Sequence, residues 1–136
     1  MDDNWTTKYL LNIDEIDKQH KVFFELWNKE INQVDMQDDT LLISVIEKLE
    51  AYLKGHLRYE EAILRKSDYE DLENHIAEHQ FFIQKIEAFK QELSYHNPLL
   101  FEKTALFIKK WFLSHILQSD RKYRETVIAY LKNKSS

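Results

Sequence analysis

The scarcity of glycine and proline restricts the fold more than any other feature of this chain. One glycine, Gly55, and one proline, Pro98, occur among 136 residues, whereas average usage would give the two together roughly 12%. Folds rich in β-strands need these residues at their many turns. Hydrophobic residues make up 43% of the chain, which is typical of a globular domain with its own core. We therefore predict a single all-α domain over residues 1–136.

Several functional classes are excluded by composition. The chain has no cysteine, which rules out disulfide frameworks and thiolate metal sites. Residues 1–5 are acidic, unlike a secretory leader, and no apolar run approaches the length of a membrane span. The net charge of −5, with both signs interspersed, argues against non-specific nucleic-acid binding. We expect a cytoplasmic protein with neither nucleic acid nor membrane as a partner.

Helix signals divide the chain into an N-terminal arm, about residues 1–14, and a four-helix bundle, about residues 15–132. The arm carries Trp5 and Tyr9 and is expected to pack across the bundle. Polar capping residues mark the predicted helix starts: Asp14, then Asp38 to Thr40, then Ser67 with Glu70 as a capping box, then Asn97 before Pro98. The linkers are short, so neighbouring helices should be antiparallel, in an up-down-up-down arrangement.

Histidines occupy the apolar faces of these predicted helices. Five of the six lie on such faces together with one glutamate: His20, His56, Glu60, His75, His79 and His115. Burying so many polar groups costs free energy unless they find partners. Residues four apart share a helix face, so the second helix presents His56 with Glu60 and the third presents His75 with His79. These side chains predict a metal site between the four helices.

The fourth helix needs a departure from regular geometry to contribute a second ligand. Asp120 follows His115 by five residues, which places it about 140° away on a straight α-helix. A local bend, a widened turn or a different approach to the metal is therefore required. Glu61 and Glu78 adjoin predicted ligands but are interpreted as surface charges, and His96 is assigned to a loop.

Residue types alone leave alternatives open. A single histidine on an apolar face is more often a hydrogen-bonded core residue than a ligand, so a metal-free bundle is the simplest competing interpretation. Imidazole and carboxylate ligands also suit iron, manganese, cobalt and zinc.

The ordered motifs resemble the hemerythrin family, in particular its single-domain bacterial branch. The family pattern has a histidine on the first helix, HxxxE on the second, HxxxH on the third and HxxxxD on the fourth, matched here from His20 to Asp120. The similarity covers roughly residues 5–123. Two loop positions differ, because Asn12 stands where the family usually has glycine and Glu70 where it commonly has proline.

The resemblance implies a centre of two iron ions with an oxo or hydroxo bridge. His75, His79 and His115 would bind one iron, and His20 and His56 would bind the other. Glu60 and Asp120 would bridge both. If both irons are six-coordinate, one position stays open on the iron with two histidines. Apolar side chains would line the pocket at this position: Phe23, Leu57, Trp111, Phe112 and Ile116.

The implied function is reversible dioxygen binding for storage, delivery or local supply, without enzymatic turnover. The implied partners are dioxygen and an unidentified protein that receives it. A di-iron enzyme acting on peroxide, dioxygen or nitric oxide is the alternative, together with a sensor module for oxygen or iron. Ferritin-like sites that activate oxygen use Glu-x-x-His motifs, and none is aligned with the core faces here.

Overall fold

The computed structural model describes residues 7–33, 38–93 and 98–135. The sequence-based assignments of Trp5, His96 and Asn97 lie outside these ranges. Within them the chain is helical: a short 3-10 turn at Thr7–Tyr9, α1 (Asp14–Gln33), α2 (Asp39–Lys66), α3 (Leu72–Leu93), α4 (Pro98–His115), a π-helical segment (Ile116–Asp120) and α5 (Arg121–Ser135). Consecutive helices pack antiparallel, and α5 continues α4 beyond the π-helical segment. The predicted all-α bundle with an N-terminal arm is confirmed.

The start of α1 is held by a carboxylate inside the helix. The side chain of Asp17 accepts hydrogen bonds from the backbone N–H groups of Leu11 (2.8 Å) and Ile13 (3.3 Å). Between these two residues, Asn12 has a φ of 62°. Asparagine tolerates this left-handed conformation better than most residues, so the chain can turn there without a glycine. The turn brings the arm into contact with the bundle.

The described part of the arm, from residue 7 onward, packs across the bundle, as expected. Leu11 is fully buried, and the ring of Tyr9 lies 5.4 Å from that of Phe24. Arg124 on α5 donates to the backbone carbonyl of Leu11 at 2.7 Å. The described part of the arm therefore contacts both α1 and α5.

The prediction that α3 begins at Ser67 is wrong. Ser67 ends α2 instead, because its hydroxyl donates back to the carbonyl of Ile63 at 2.7 Å. Asp68 then adopts a φ of 55°, which breaks the helix, and α3 starts at Leu72. A serine can cap the helix before it or the one after it, and here packing selects the former.

Two hydrophobic clusters enclose the predicted ligands. The larger one includes Phe23 and Phe112, and the smaller one, beneath the arm, includes Leu11 and Tyr123. Phe112 contacts the ring of His20, while Tyr123 contacts His75 from the other cluster. The polar residues thus have apolar walls on two sides. Among the described residues, no helix is long and apolar enough to cross a membrane.

Candidate metal centre

The structure brings all seven predicted ligands together in the interior of the bundle. Each is at most 4% exposed: His20, His56, Glu60, His75, His79, His115 and Asp120. Their donor atoms form two sets, and within each set the donors lie within 4.8 Å of one another. α1 to α4 and the π-helical segment each contribute at least one of these side chains.

The first set consists of Glu60, His75, His79 and His115. Oε1 of Glu60 lies 2.5 Å from Nε2 of His75 and 3.0 Å from Nε2 of His79. The Nε2 atoms of His79 and His115 are themselves 3.0 Å apart. One carboxylate oxygen and three imidazole nitrogens therefore face a common point.

The second set consists of His20, His56, Glu60 and Asp120. The other oxygen of Glu60, Oε2, lies 3.5 Å from Nε2 of His56. Asp120 directs Oδ2 toward Nε2 of His20 (3.4 Å) and Oδ1 toward Nε2 of His115 in the first set (3.0 Å). Both carboxylates thus extend between the two sets, as bridging ligands do.

Several donor atoms of the site have no hydrogen-bond partner among the described residues. They are Nε2 of His56 and both carboxylate oxygens of Asp120, all of them buried. Buried polar atoms nearly always have partners, and imidazole nitrogens with carboxylate oxygens are ordinary ligands for divalent metals. The donor sets fit two cations that share a carboxylate, which is a binuclear metal site.

A widened helical turn brings His115 and Asp120 to the same side. The chain from Ile116 to Asp120 is π-helical, with hydrogen bonds from residue i to i+5. This segment replaces the α-helical turn in which the two side chains would diverge. Of the three geometries that the sequence left open, the structure adopts the widened turn.

The pKa values of the histidines and carboxylates in the cluster depend on one another. Burial would raise the pKa of Glu60, but hydrogen bonds with the surrounding histidines hold it well below its usual value. Burial would likewise lower the pKa of His75, yet the neighbouring carboxylates of Asp120 and Glu60 raise it to about 9. The pKa of His115 is also raised, against the effect of its burial, by the charge of Asp120. Protonated imidazoles therefore balance the negative charge of the ionised carboxylates.

Three of the histidines hydrogen-bond through their outward-facing Nδ1 atoms, a feature that the sequence analysis missed. Nδ1 of His79 lies 2.7 Å from Glu61, and that of His115 lies 3.1 Å from Glu78. The two glutamates do lie at the surface, as interpreted from the sequence, but their bonds to ligand histidines were not predicted. Although partly exposed, each carboxylate accepts from a histidine on a neighbouring helix. We call the three bonds, including that of His56 to Gln19 (2.7 Å), the outer hydrogen bonds.

A buried tyrosine completes the contacts of Glu60. The hydroxyl of Tyr123, on α5, donates to Oε2 of Glu60 at 3.0 Å, and the side chain is fully buried. Burial, together with the negative charges of Asp120 and Glu60, raises the pKa of Tyr123 well above its usual value. The hydroxyl therefore keeps its proton. No helix-face pattern had singled out this tyrosine.

The five predicted pocket residues fall on two sides of the centre. Phe112 lies 5.4 Å from the ring of His20 and 5.8 Å from that of His56, and Phe23 packs on it at 4.4 Å. Leu57 and Ile116 are buried in the large hydrophobic cluster, and Leu57 also lines a surface groove with His79 and Glu61. Trp111 instead stacks on His115 at 4.5 Å, beside the first donor set, and lines a groove on the surface.

Comparison with known proteins gives a consistent result. The family described as "Hemerythrin HHE cation binding domain" matches residues 11–127. A bacteriohemerythrin from Clostridium acetobutylicum is 32% identical over 124 residues, covering 88% of this chain and 96% of the relative. A myohemerythrin from Theromyzon tessulatum is 27% identical, covering 88% and 89%. A hemerythrin-like protein from Naegleria gruberi is 27% identical, covering 89% and 90%.

Proposed function

This chain belongs to the hemerythrin family, and from that membership we propose that it binds dioxygen reversibly at a non-haem di-iron centre, without enzymatic turnover. The observation that carries the proposal is the pair of buried donor sets that share Glu60. One set offers three imidazoles and the other only two. The ion at the second set would therefore have fewer protein ligands and could accept an external one.

The assignment of ligands follows the two donor sets. His75, His79 and His115 would hold one iron, and His20 and His56 would hold the other. Glu60 and Asp120 would bridge them, with an oxo or hydroxo group as the third bridge. Iron held by these residues would supply the electrons that dioxygen takes up on binding and returns on release. The iron identity rests on the family, because the ligand types suit several metals.

The surrounding side chains would orient the ligands, hold Glu60 in position and exclude water. The outer hydrogen bonds orient the imidazole rings so that Nε2 faces inward. Tyr123 donates to Glu60 and holds that carboxylate in position. The apolar side chains of Phe23, Leu57, Phe112 and Ile116 exclude water from the centre, while Trp111 supports His115. A dry pocket limits the access of external protons to the bound ligand, and reversible release depends on that restriction.

Anaerobic loading with ferrous iron tests the proposal. The purified chain would be reconstituted under nitrogen, exposed to air and then returned to nitrogen, with iron content and the visible spectrum recorded at each stage. We expect two irons per chain and an absorption band that appears with air and fades on deoxygenation. Irreversible conversion to the diferric form would contradict reversible binding and favour an enzyme or a sensor. The same centre loaded in a His20→Ala variant should lose the band.

A further inference from the structure

The outer hydrogen bonds give the two donor sets different charges. In the three-histidine set, His79 and His115 are each bonded to a carboxylate, Glu61 at 2.7 Å and Glu78 at 3.1 Å. These side chains are 27% and 44% exposed, so solvent reaches both carboxylates. In the two-histidine set, the partner of His56 is Gln19, which is neutral. The outer hydrogen bonds therefore place two negative charges against the three-histidine set and a neutral carboxamide against His56.

The neutral partner is held in one orientation by its own contact. Nε2 of Gln19 donates to Oε1 of Glu15 at 3.1 Å, one turn earlier on α1. The carboxamide oxygen consequently faces Nδ1 of His56. A carboxylate at position 19 would instead lie against the carboxylate of Glu15, and like charges at this spacing repel. Gln19 therefore stands between the carboxylate of Glu15 and the ring of His56, and His56 bonds to a neutral group.

A carboxylate that accepts from the outer nitrogen of a ligating imidazole makes that ligand more basic. A nearby negative charge also favours the higher charge state of a bound cation. Glu78 is additionally fixed by Ser119, whose hydroxyl donates to the same oxygen at 2.5 Å. This contact ties the carboxylate to the π-helical segment and keeps it against His115.

From this arrangement we propose that Glu61 and Glu78 set the order in which the two irons are oxidised. The ion held by the three-histidine set loses its electron first, and the ion beside neutral Gln19 stays ferrous to a higher potential. The two glutamates act through the histidines they bind and do not contact the metal. This inference rests on the proposed function, because it takes both ions to be iron.

The test is a redox titration of the di-iron protein under nitrogen, with ferricyanide as the one-electron acceptor and dithionite as the donor. Ferricyanide receives the electron that each iron loses, so the two steps give two potentials. Glu61→Gln and Glu78→Gln keep a hydrogen-bond acceptor but remove the charge. We expect each to raise the first potential by about 59 mV, which is a tenfold change in a one-electron equilibrium constant. The second potential should move less.

A charge-conserving exchange provides the opposite change. The double variant Glu15→Gln with Gln19→Glu transfers the carboxylate from position 15 to position 19, where it accepts the hydrogen bond from His56. The hydrogen bond between positions 15 and 19 is retained. It should lower the second potential by a similar amount and narrow the gap between the two steps. Glu125→Gln is the matched control, because Glu125 is 84% exposed on α5 and pairs only with Arg124 among the described contacts.

The outcomes separate this inference from the proposed function. The inference is overturned if the potentials of all three variants differ from those of the Glu125→Gln control by less than a twofold change in the equilibrium constant. Shifts of the opposite sign would also overturn it. If Glu61→Gln or Glu78→Gln fails to retain two irons, the second potential of the double variant at positions 15 and 19 tests the inference by itself. Because the titration uses no dioxygen, it gives the same answer whether or not dioxygen binds reversibly.

Discussion

Oδ1 of Asp120 lies 3.0 Å from Nε2 of His115, although the two residues are five apart in a continuous helical stretch. The π-helical turn between them makes this contact, and Asp120 also approaches His20 on the opposite side, at 3.4 Å. A single carboxylate on a widened turn therefore joins the two donor sets. Such turns occur frequently at functional sites.

Asp120→Asn should reduce the metal content from two ions per chain to about one. The amide keeps the shape of the side chain but removes the charge and one acceptor oxygen, while the three-histidine set with Glu60 stays complete. Metal analysis after loading with Fe²⁺ or Zn²⁺ measures the change. Glu125→Gln, an exposed acid-to-amide change on α5, should keep two ions. Two ions bound to the Asp120→Asn variant would contradict the bridging role.

Tyr123→Phe should weaken both the fold and metal binding. It removes the only donor from α5 to the buried Oε2 of Glu60 in the described structure, and leaving a buried acceptor without its donor costs about 1–3 kcal/mol. Urea unfolding of the metal-free protein measures this loss. Zn²⁺ affinity should fall by about 10–100-fold, as for other contacts that orient a ligand. Tyr130→Phe, on the same helix, serves as control, and an equal effect there would refute the assignment.

Metal binding should release protons at pH 7. The pKa of His75 is raised to about 9 and that of His115 also lies above its usual value, so both imidazoles are protonated in the metal-free site. They must lose these protons to act as ligands. Affinity should therefore decrease as the pH is lowered below 9. Calorimetric titration with Zn²⁺ in two buffers of different ionisation enthalpy should give different heats, and equal heats would contradict the prediction.

A polar side chain in the apolar wall should shorten the life of the oxygenated protein. Leu57→Gln or Ile116→Gln would admit water to the buried surroundings of the metal centre. We expect autoxidation to accelerate by about tenfold, which is equivalent to about 1.4 kcal/mol of barrier. The decay of the visible band in air measures this rate. Leu57→Met, which keeps the wall apolar at similar volume, is the control, and an unchanged rate in both glutamine variants would rule out the role of the wall.

Gly55→Ala should stabilise the metal-free protein by about 0.5–1 kcal/mol. Gly55 lies inside α2, where glycine costs this much relative to alanine, and a Cβ atom at that position would meet nothing within 4 Å. Urea unfolding provides the measurement. The reverse change at the exposed position one turn earlier, Ala51→Gly, should destabilise by a similar amount. A destabilised Gly55→Ala variant would show that this face of α2 packs against something else.

The sequence by itself determined the helical fold and the inward direction of most of the metal-site side chains. With one glycine and one proline, few alternatives to helices remained. The position of His56 and Glu60 on one face follows from the α-helical repeat, which is a local property. The same reasoning showed that His115 and Asp120 would diverge on a straight helix and left a bend, a widened turn or a different approach to the metal as alternatives, of which the structure has the widened turn.

Only the tertiary structure decided which partners those side chains meet. Glu61 is 18 residues from His79 and Tyr123 is 63 residues from Glu60, so the packing of α3 and α5 on α2 creates both contacts. The capping role of Ser67 likewise depended on competition between two helix ends. A helical repeat specifies the direction of a side chain from its own backbone, but hydrogen-bond partners depend on how separate helices approach one another. The charge difference between the two donor sets arises at that level.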